Sequence, residues 1–191
     1  MSGERQGPFR VLILCTGNSA RSQMAEALFN ALGRGRVKAE SAGSQPAPRV
    51  NPLAIETLAR HGIAWAGHQP RTVTGLEREP WDAVITVCDK AREACPIFPG
   101  HPATAHWGMS DPAEVVGSDA VRREAFWQAS LLLRKRIELM LALPLERLER
   151  LGVESRLRTI GSALGGKRPS GRRTTRSRFA RRRSGRFSAS P

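Results

Sequence analysis

Cysteine is scarce here: three residues in 191, an odd number, with no long apolar stretch behind the opening MSGERQGPFR. That argues against a secreted scaffold held by paired disulfides and predicts a cytoplasmic protein. No apolar run is long enough to cross a bilayer, because the longest helical candidate, Leu131 to Leu143, is interrupted by Arg134, Lys135, Arg136 and Glu138. Clustered metal ligands are missing as well. His101, His106 and the distant cysteines are too scattered to hold an ion tightly, so no metal is expected, and His68 and His106 are assigned structural roles. Acid is absent from residues 165–191, where ten Lys and Arg fall; residues 1–164 therefore hold 21 basic against 17 acidic groups, a net of +4 out of the chain's +14.

That last stretch, GGKRPSGRRTTRSRFARRRSGRFSASP, is Arg, Ser, Gly and Pro with two Phe. It has too little apolar area to offset the entropy of ordering, and a disordered basic tail is predicted over 165–191. Its charge leaves open a nucleic-acid or acidic partner bound through the tail alone. The rest of the chain suits one domain with a proper core, over 9–164, behind a flexible N-terminus at 1–8.

Four apolar residues in a row, Val11 to Leu14, predict a buried strand, and Met24, Ala27, Leu28 and Ala31 predict an amphipathic helix from about Arg21. Gly33 and Gly35 should stop that helix, ahead of a second strand at Val37 to Ala42. Pro46 and Pro48 break the chain before a helix from about Asn51 to His61, and Gly67 to Arg78 reads as loop. Further strands are expected at Ala83 to Val87 and Thr104 to Trp107. A long helix follows from about Asp119 to Leu143, ended by Pro144, and a last one over Leu145 to Ile160. Strands alternating with helices predict an α/β fold, an about four-stranded, mostly parallel sheet with helices on both faces. In such sheets ligands bind beyond the C-terminal ends of the strands, where Cys15, Cys88 and Asp111 all fall.

Between the first strand and helix, residues 15–21 read CTGNSAR. A tight loop that opens on a cysteine, closes on an arginine and leads into a helix points backbone N–H groups and a positive helix end at one spot, suited to a tetrahedral oxyanion. The same field predicts Cys15 as a thiolate near neutral pH. Cys88 closes the third strand and Cys95 follows seven residues later, before a proline-rich stretch. Seven residues of rigid helix separate Cα atoms by about 10 Å, against less than about 7 Å for a disulfide, so pairing Cys88 with Cys95 demands a bend or unwinding of DKAREA. Plainer readings stand beside these. Cys88 suits a small buried apolar position at a strand end, Asp111 before Pro112 suits a helix N-cap, and Trp107 and Trp127 suit core or rim packing.

Together these motifs resemble the low-molecular-weight protein tyrosine phosphatase superfamily. CTGNSARS matches its CX5R(S/T) phosphate loop, and SDPA resembles its late general-acid Asp-Pro. Within that superfamily CTGNSARSQMAEAL, VNPLAIE, VITVCDKAREACP and HWGMSDPAE are most similar to thioredoxin-coupled arsenate reductases, over roughly Phe9 to Leu151. The resemblance implies a single-domain phosphatase I-like fold whose oxyanion loop is Thr16, Gly17, Asn18, Ser19, Ala20, Arg21 and Ser22. It implies that Cys15 attacks the arsenic of arsenate, Arg21 holds two oxygens in a bidentate fork, and Asp111 protonates the leaving oxygen. Asn18 would brace the loop and Ser22 would donate a hydrogen bond to the Cys15 thiolate. Cys88 would then attack the Cys15 sulfur and release arsenite, and Cys95 would resolve the result into a Cys88–Cys95 disulfide.

No tightly bound cofactor is implied; electrons would come from an external thiol, thioredoxin or glutaredoxin with glutathione. With Cys88 and Cys95 idle, the same loop would serve a phosphatase that hydrolyses phosphate monoesters through a Cys15 phosphoenzyme. The chain also departs from the pattern of the family it resembles. Arg71 stands where an acid would help Asn18, Glu26 and Ser41 hold potassium. Ala113 stands where phosphatase members usually carry an aromatic after Asp-Pro, which removes a wall for a phosphotyrosine ring, and the chain has no tyrosine.

Overall fold

A computed structural model of the chain describes residues 7–93, 95–145 and 150–163. The basic tail over 165–191 and nearly all of the N-terminal stretch at 1–8 lie outside the described residues. Four strands, β1 (Phe9–Cys15), β2 (Val37–Gly43), β3 (Ala83–Thr86) and β4 (Ala103–His106), form one all-parallel sheet in the order β2-β1-β3-β4. The helices are α1 (Arg21–Gly33), α2 (Pro52–Arg60), α3 (Asp89–Glu93), α4 (Asp119–Leu141) and α5 (Arg150–Ala163).

Central β1 explains why its sequence is an unbroken apolar run. Val11, Leu12, Ile13 and Leu14 are all buried. Neighbouring side chains on a strand point to opposite faces, so burial of both parities means that both faces of the sheet are covered. On α1, Met24, Ala25, Leu28 and Phe29 are buried, and the Phe29 ring stacks on Trp107 with centroids 6.0 Å apart. The helix runs through Gly33; Arg34 takes the left-handed conformation (φ 47) ahead of Gly35 (φ 82), so the expected stop comes one residue late.

Caps set the other helices. Asn51 Oδ1 accepts from the Leu53 N–H at 2.9 Å and Pro52 fills the first turn of α2, while Ser118 accepts from the Val121 N–H to open α4. The buried face of α4 carries Phe126, Ser130, Leu133, Ile137 and Met140 at spacings of three and four, together with Arg136. It packs on α1 and α2. The final described helix, α5, extends three residues past the expected Ile160 and buries Val153, Leu157 and Ile160. It lies along β4, covering the edge of the sheet. β1, β3 and β4 all end on the same side, which brings Cys15, Cys88 and the loop carrying Asp111 to one rim.

Candidate active site

The loop after β1 is shaped from outside. The carbonyls of Cys15, Thr16, Gly17 and Ser19 accept from the N–H groups of Ser44 (3.2 Å), Gln45 (3.0 Å), Ala47 (2.9 Å) and Asn51 (2.8 Å). A trans peptide holds its C=O and N–H on opposite sides, so carbonyls drawn out to the 44–51 segment leave the N–H groups of Thr16, Gly17, Asn18 and Ala20 facing inward. One is caught in that role: the Asn18 N–H donates to Cys15 Sγ at 3.0 Å. Pro46 and Pro48, which have no N–H, sit between the donors. Gly43, paired with Cys15 across β1 and β2, lies so close under the loop that a Cβ there would meet the Thr16 carbonyl and stand 3.1 Å from the Asn18 backbone nitrogen.

Asn18 is the strained member of the loop, fully buried at φ 47. Its side chain fixes it there. Nδ2 donates to Ser22 Oγ (3.0 Å) and Ser41 Oγ (2.8 Å), while Oδ1 accepts from the Arg71 N–H (3.0 Å). Because Ser22 Oγ already accepts from Asn18, its own proton is left for Cys15 Sγ, 2.9 Å away. Behind them Ser41 donates to Glu26 Oε2 at 2.6 Å, and His68 Nε2 lies 3.1 Å from the same oxygen. Arg71 does not enter this group with its charge; its guanidinium bonds the Ser41 carbonyl (3.1 Å) and Glu40 (2.7 Å).

Electrostatics at Cys15 depart from the sequence expectation of a thiolate. Burial pushes the thiol up, against the Ser22 hydroxyl, the Asn18 N–H and Arg21, which pull it down, and Cys88 adds to the upward push. The sequence supplies the stabilising groups but cannot weigh how deeply the sulfur is buried. Arg21 is also engaged: its guanidinium pairs with Asp111 Oδ2 and donates to the Met109 carbonyl at 3.0 Å. The positive charge that favours a thiolate thus faces a carboxylate. Asp111 serves as a cap as well, its Oδ1 accepting from the Ala113 N–H at 3.1 Å. The N-cap reading of that residue holds alongside its pairing with Arg21.

The pocket wall includes Cys15, Thr16, Gly17, Ser19, Ala20 and Arg21 on one side and Cys88, Met109 and Asp111 on the other. Asn18 and Ser22 stand behind it. Cys88 is buried, with its Sγ 3.3 Å from Thr16 Oγ1 and 3.4 Å from the Ala91 N–H, which tie the second thiol to the loop and to α3. Cys95 is half-buried and does not line that wall; burial pushes its thiol up too. Described helix α3 covers Asp89–Glu93 and Cys95 is not helical, so the two cysteines do not both belong to one helix. His106 lies beside the site, with Nδ1 2.8 Å from Thr86 Oγ1 and Nε2 3.0 Å from Asp89 Oδ1. Sequence reasoning missed Gly43 and the 44–51 rim. The alternation of prolines with donors was the available signal.

Comparison with known proteins agrees with this geometry. The family model described as low molecular weight phosphotyrosine protein phosphatase matches residues 10–123. An arsenate reductase of Halalkalibacterium halodurans is 34% identical over 128 residues, covering 67% of this chain and 91% of the relative. A solved arsenate reductase in the phosphate binding state matches with a TM-score of 0.56 at 27% identity, over 70% of this chain and 96% of that one. A thioredoxin-dependent arsenate reductase from Corynebacterium glutamicum matches with a TM-score of 0.54 at 29% identity, over 70% of this chain and 64% of that one. The matched span takes in the cysteine-to-arginine loop between β1 and α1, the 44–51 segment that ties its carbonyls and the late Asp-Pro: the chain belongs to the low molecular weight phosphotyrosine protein phosphatase family.

Proposed function

We propose that this protein is an arsenate reductase that works through three thiols. Cys88 carries the reading: a second buried thiol in the wall of the oxyanion pocket, 3.3 Å from Thr16 Oγ1 of the loop itself, has no part in ester hydrolysis. Arsenate enters the cradle of N–H groups and draws Arg21 from Asp111 into a bidentate grip on two oxygens. Cys15 gives its thiol proton to the Asp111 carboxylate, the thiolate so formed attacks arsenic, and Asp111 passes that proton to one oxygen, which leaves as water. The Cys88 thiolate attacks Cys15 Sγ. A sulfur–sulfur bond forms, the arsenic–sulfur pair passes to arsenic, and arsenic(V) departs as arsenite at arsenic(III). Cys95 attacks Cys88 Sγ, freeing the Cys15 thiolate and leaving a Cys88–Cys95 disulfide, which an external dithiol reduces with two electrons. The stretch from Cys95 on, which is not helical, supplies the bend that this last exchange requires. A relay of three thiols that cycles through a disulfide suits a reducing compartment such as the cytoplasm.

Hydrolysis of phosphate monoesters is the second reading, favoured by the completeness of Cys15, Arg21 and Asp111 without the other thiols. One experiment separates the two. Arsenate-dependent NADPH oxidation is measured with thioredoxin and thioredoxin reductase, then with glutaredoxin and glutathione. Activity with thioredoxin, its loss in Cys88→Ser, and retained hydrolysis of a small aryl phosphate by that variant are expected. No arsenate-dependent oxidation with either donor returns the protein to the phosphatases.

A further inference from the structure

Asp111 is carried by a stretch without regular structure, residues 107–111, between β4 and the short turn at Pro112–Glu114. Something must hold it against Arg21. Under that stretch lies Arg136 of α4, fully buried and with no carboxylate against it among the described residues. Its guanidinium bonds three backbone carbonyls. Nη1 donates to Trp107 at 2.7 Å, Nη1 and Nη2 both reach Gly108 at 3.4 Å, and Nη2 donates to Gly161 at 3.0 Å. Nε has no partner. Two of those carbonyls begin the acid-bearing stretch; the third belongs to the last turn of α5.

Burying a guanidinium without a counterion is costly, and burial pulls its pKa down. The C-terminal end of α5 supplies the compensating negative potential, since a cation there meets both the free carbonyls and the helix dipole. A second bond runs the same way: the Trp107 indole N–H donates to the Leu157 carbonyl at 3.0 Å. Gly161 allows the approach. A Cβ at that position would collide with the His106 carbonyl and stand 2.8 Å from Trp107 Cδ1. Both Arg136 and α5 lie beyond residue 123, where the family match ends.

We propose that α5 and Arg136 form a strut that sets the position of Asp111, with Arg136 as a positioning residue for the Arg21–Asp111 pair. It rests on Asp111 facing Arg21 in the oxyanion site and not on arsenic as substrate. A shortened chain without α5 would leave the guanidinium without its third carbonyl and the stretch 107–111 without its floor.

The test reads Cys15, at the far end of the chain of contacts, in the full-length protein. Iodoacetamide alkylation of Cys15 is followed by peptide mass mapping across pH, with circular dichroism to confirm folding. Asp111→Asn removes the carboxylate facing Arg21 and should lower the alkylation midpoint by about half a unit, less than the 1–3 units of a directly adjacent charge. Arg136→Met should move the midpoint in the same direction, and the double variant should move it no further than Asp111→Asn alone. Arg136→Lys, which keeps the cation without the planar fork, should fall between wild type and Arg136→Met. A folded Arg136→Met with the wild-type midpoint, or shifts that add in the double variant, overturns the proposal. If Arg136→Met does not fold, Gly161→Ala and Arg136→Lys carry the same reading, and two unmoved midpoints overturn it. Arsenate turnover is not needed for any arm, so failure of the reductase reading shows in the NADPH assay and not here.

Discussion

Gly43→Ala is the sharpest single test of how the oxyanion cradle is built. Gly43 does not have a positive φ, so alanine suits its backbone and only space is at issue. A Cβ there would stand inside 3.0 Å of the Thr16 carbonyl oxygen, closer than real Cβ atoms come, and 3.1 Å from both Asn18 Cβ and Asn18 N. None of these neighbours is a flexible side-chain end. Thr16 O is already held by the Gln45 N–H, and Asn18 is pinned by Ser22, Ser41 and Arg71. Restoring ordinary contact requires the loop to move by about 1 Å, a misplacement that costs on the order of 100-fold in rate. At 1.36 kcal/mol per decade that is about 2.7 kcal/mol of transition-state stabilisation. The assay is kcat/KM for arsenate, with phosphate binding by titration calorimetry as a reading independent of turnover. Gly100→Ala is the control, because nothing lies within 4 Å of a Cβ at that position. A folded Gly43→Ala protein that binds phosphate and turns over arsenate within threefold of wild type refutes the idea that this packing sets the cradle.

Two other outcomes follow from the same geometry. Ser22→Ala removes a donor 2.9 Å from Cys15 Sγ; hydrogen bonds to charged groups contribute about 1.5–3 kcal/mol, so the alkylation midpoint of Cys15 should rise by about 1 unit or more. An unchanged midpoint would show that Ser22 only braces Asn18. Stability should fall between about pH 7 and 5, because burial lowers the pKa of His61, helped by Arg134 and Arg60, and burial lowers that of His106 against the pull of Asp89. Both rings take up protons less readily in the fold than in the unfolded chain, so their contribution is complete above the unfolded value of about 6.5 and is lost as the pH drops and the unfolded chain binds more protons. Urea unfolding at several pH values measures this, and a slope no shallower in His61→Gln than in wild type removes His61 from the account.

Much of the fold was legible because burial leaves a periodic mark. β1 is an apolar run since both sheet faces are covered, and the starts expected for α2 and α4, near Asn51 and Asp119, lie at the caps Asn51 and Ser118. Cys15, Arg21 and Asp111 were legible as one group because each falls at or after a strand end on the same rim of a parallel sheet. What stayed hidden depends on contacts distant in sequence. Arg136 reads as a charge that interrupts an apolar stripe, yet it is fully buried, since its partners are carbonyls that carry no sequence signal. Gly43 looks like a strand end until the loop is seen above it. The protonation of Cys15 turns on a balance between burial and donors, and only the donors are written in the chain.

The tie between the loop carbonyls and residues 44–51 bears on whether such a motif can be moved to another protein. A graft of residues 15–22 alone onto a foreign strand and helix would deliver the nucleophile and the arginine. Four peptide planes would arrive without the N–H groups that turn them, and a carbonyl free to rotate inward repels an anion as firmly as an amide attracts one. The portable unit is therefore two segments of chain, one that faces the substrate and one, rich in proline and never touching it, that faces the first segment's back.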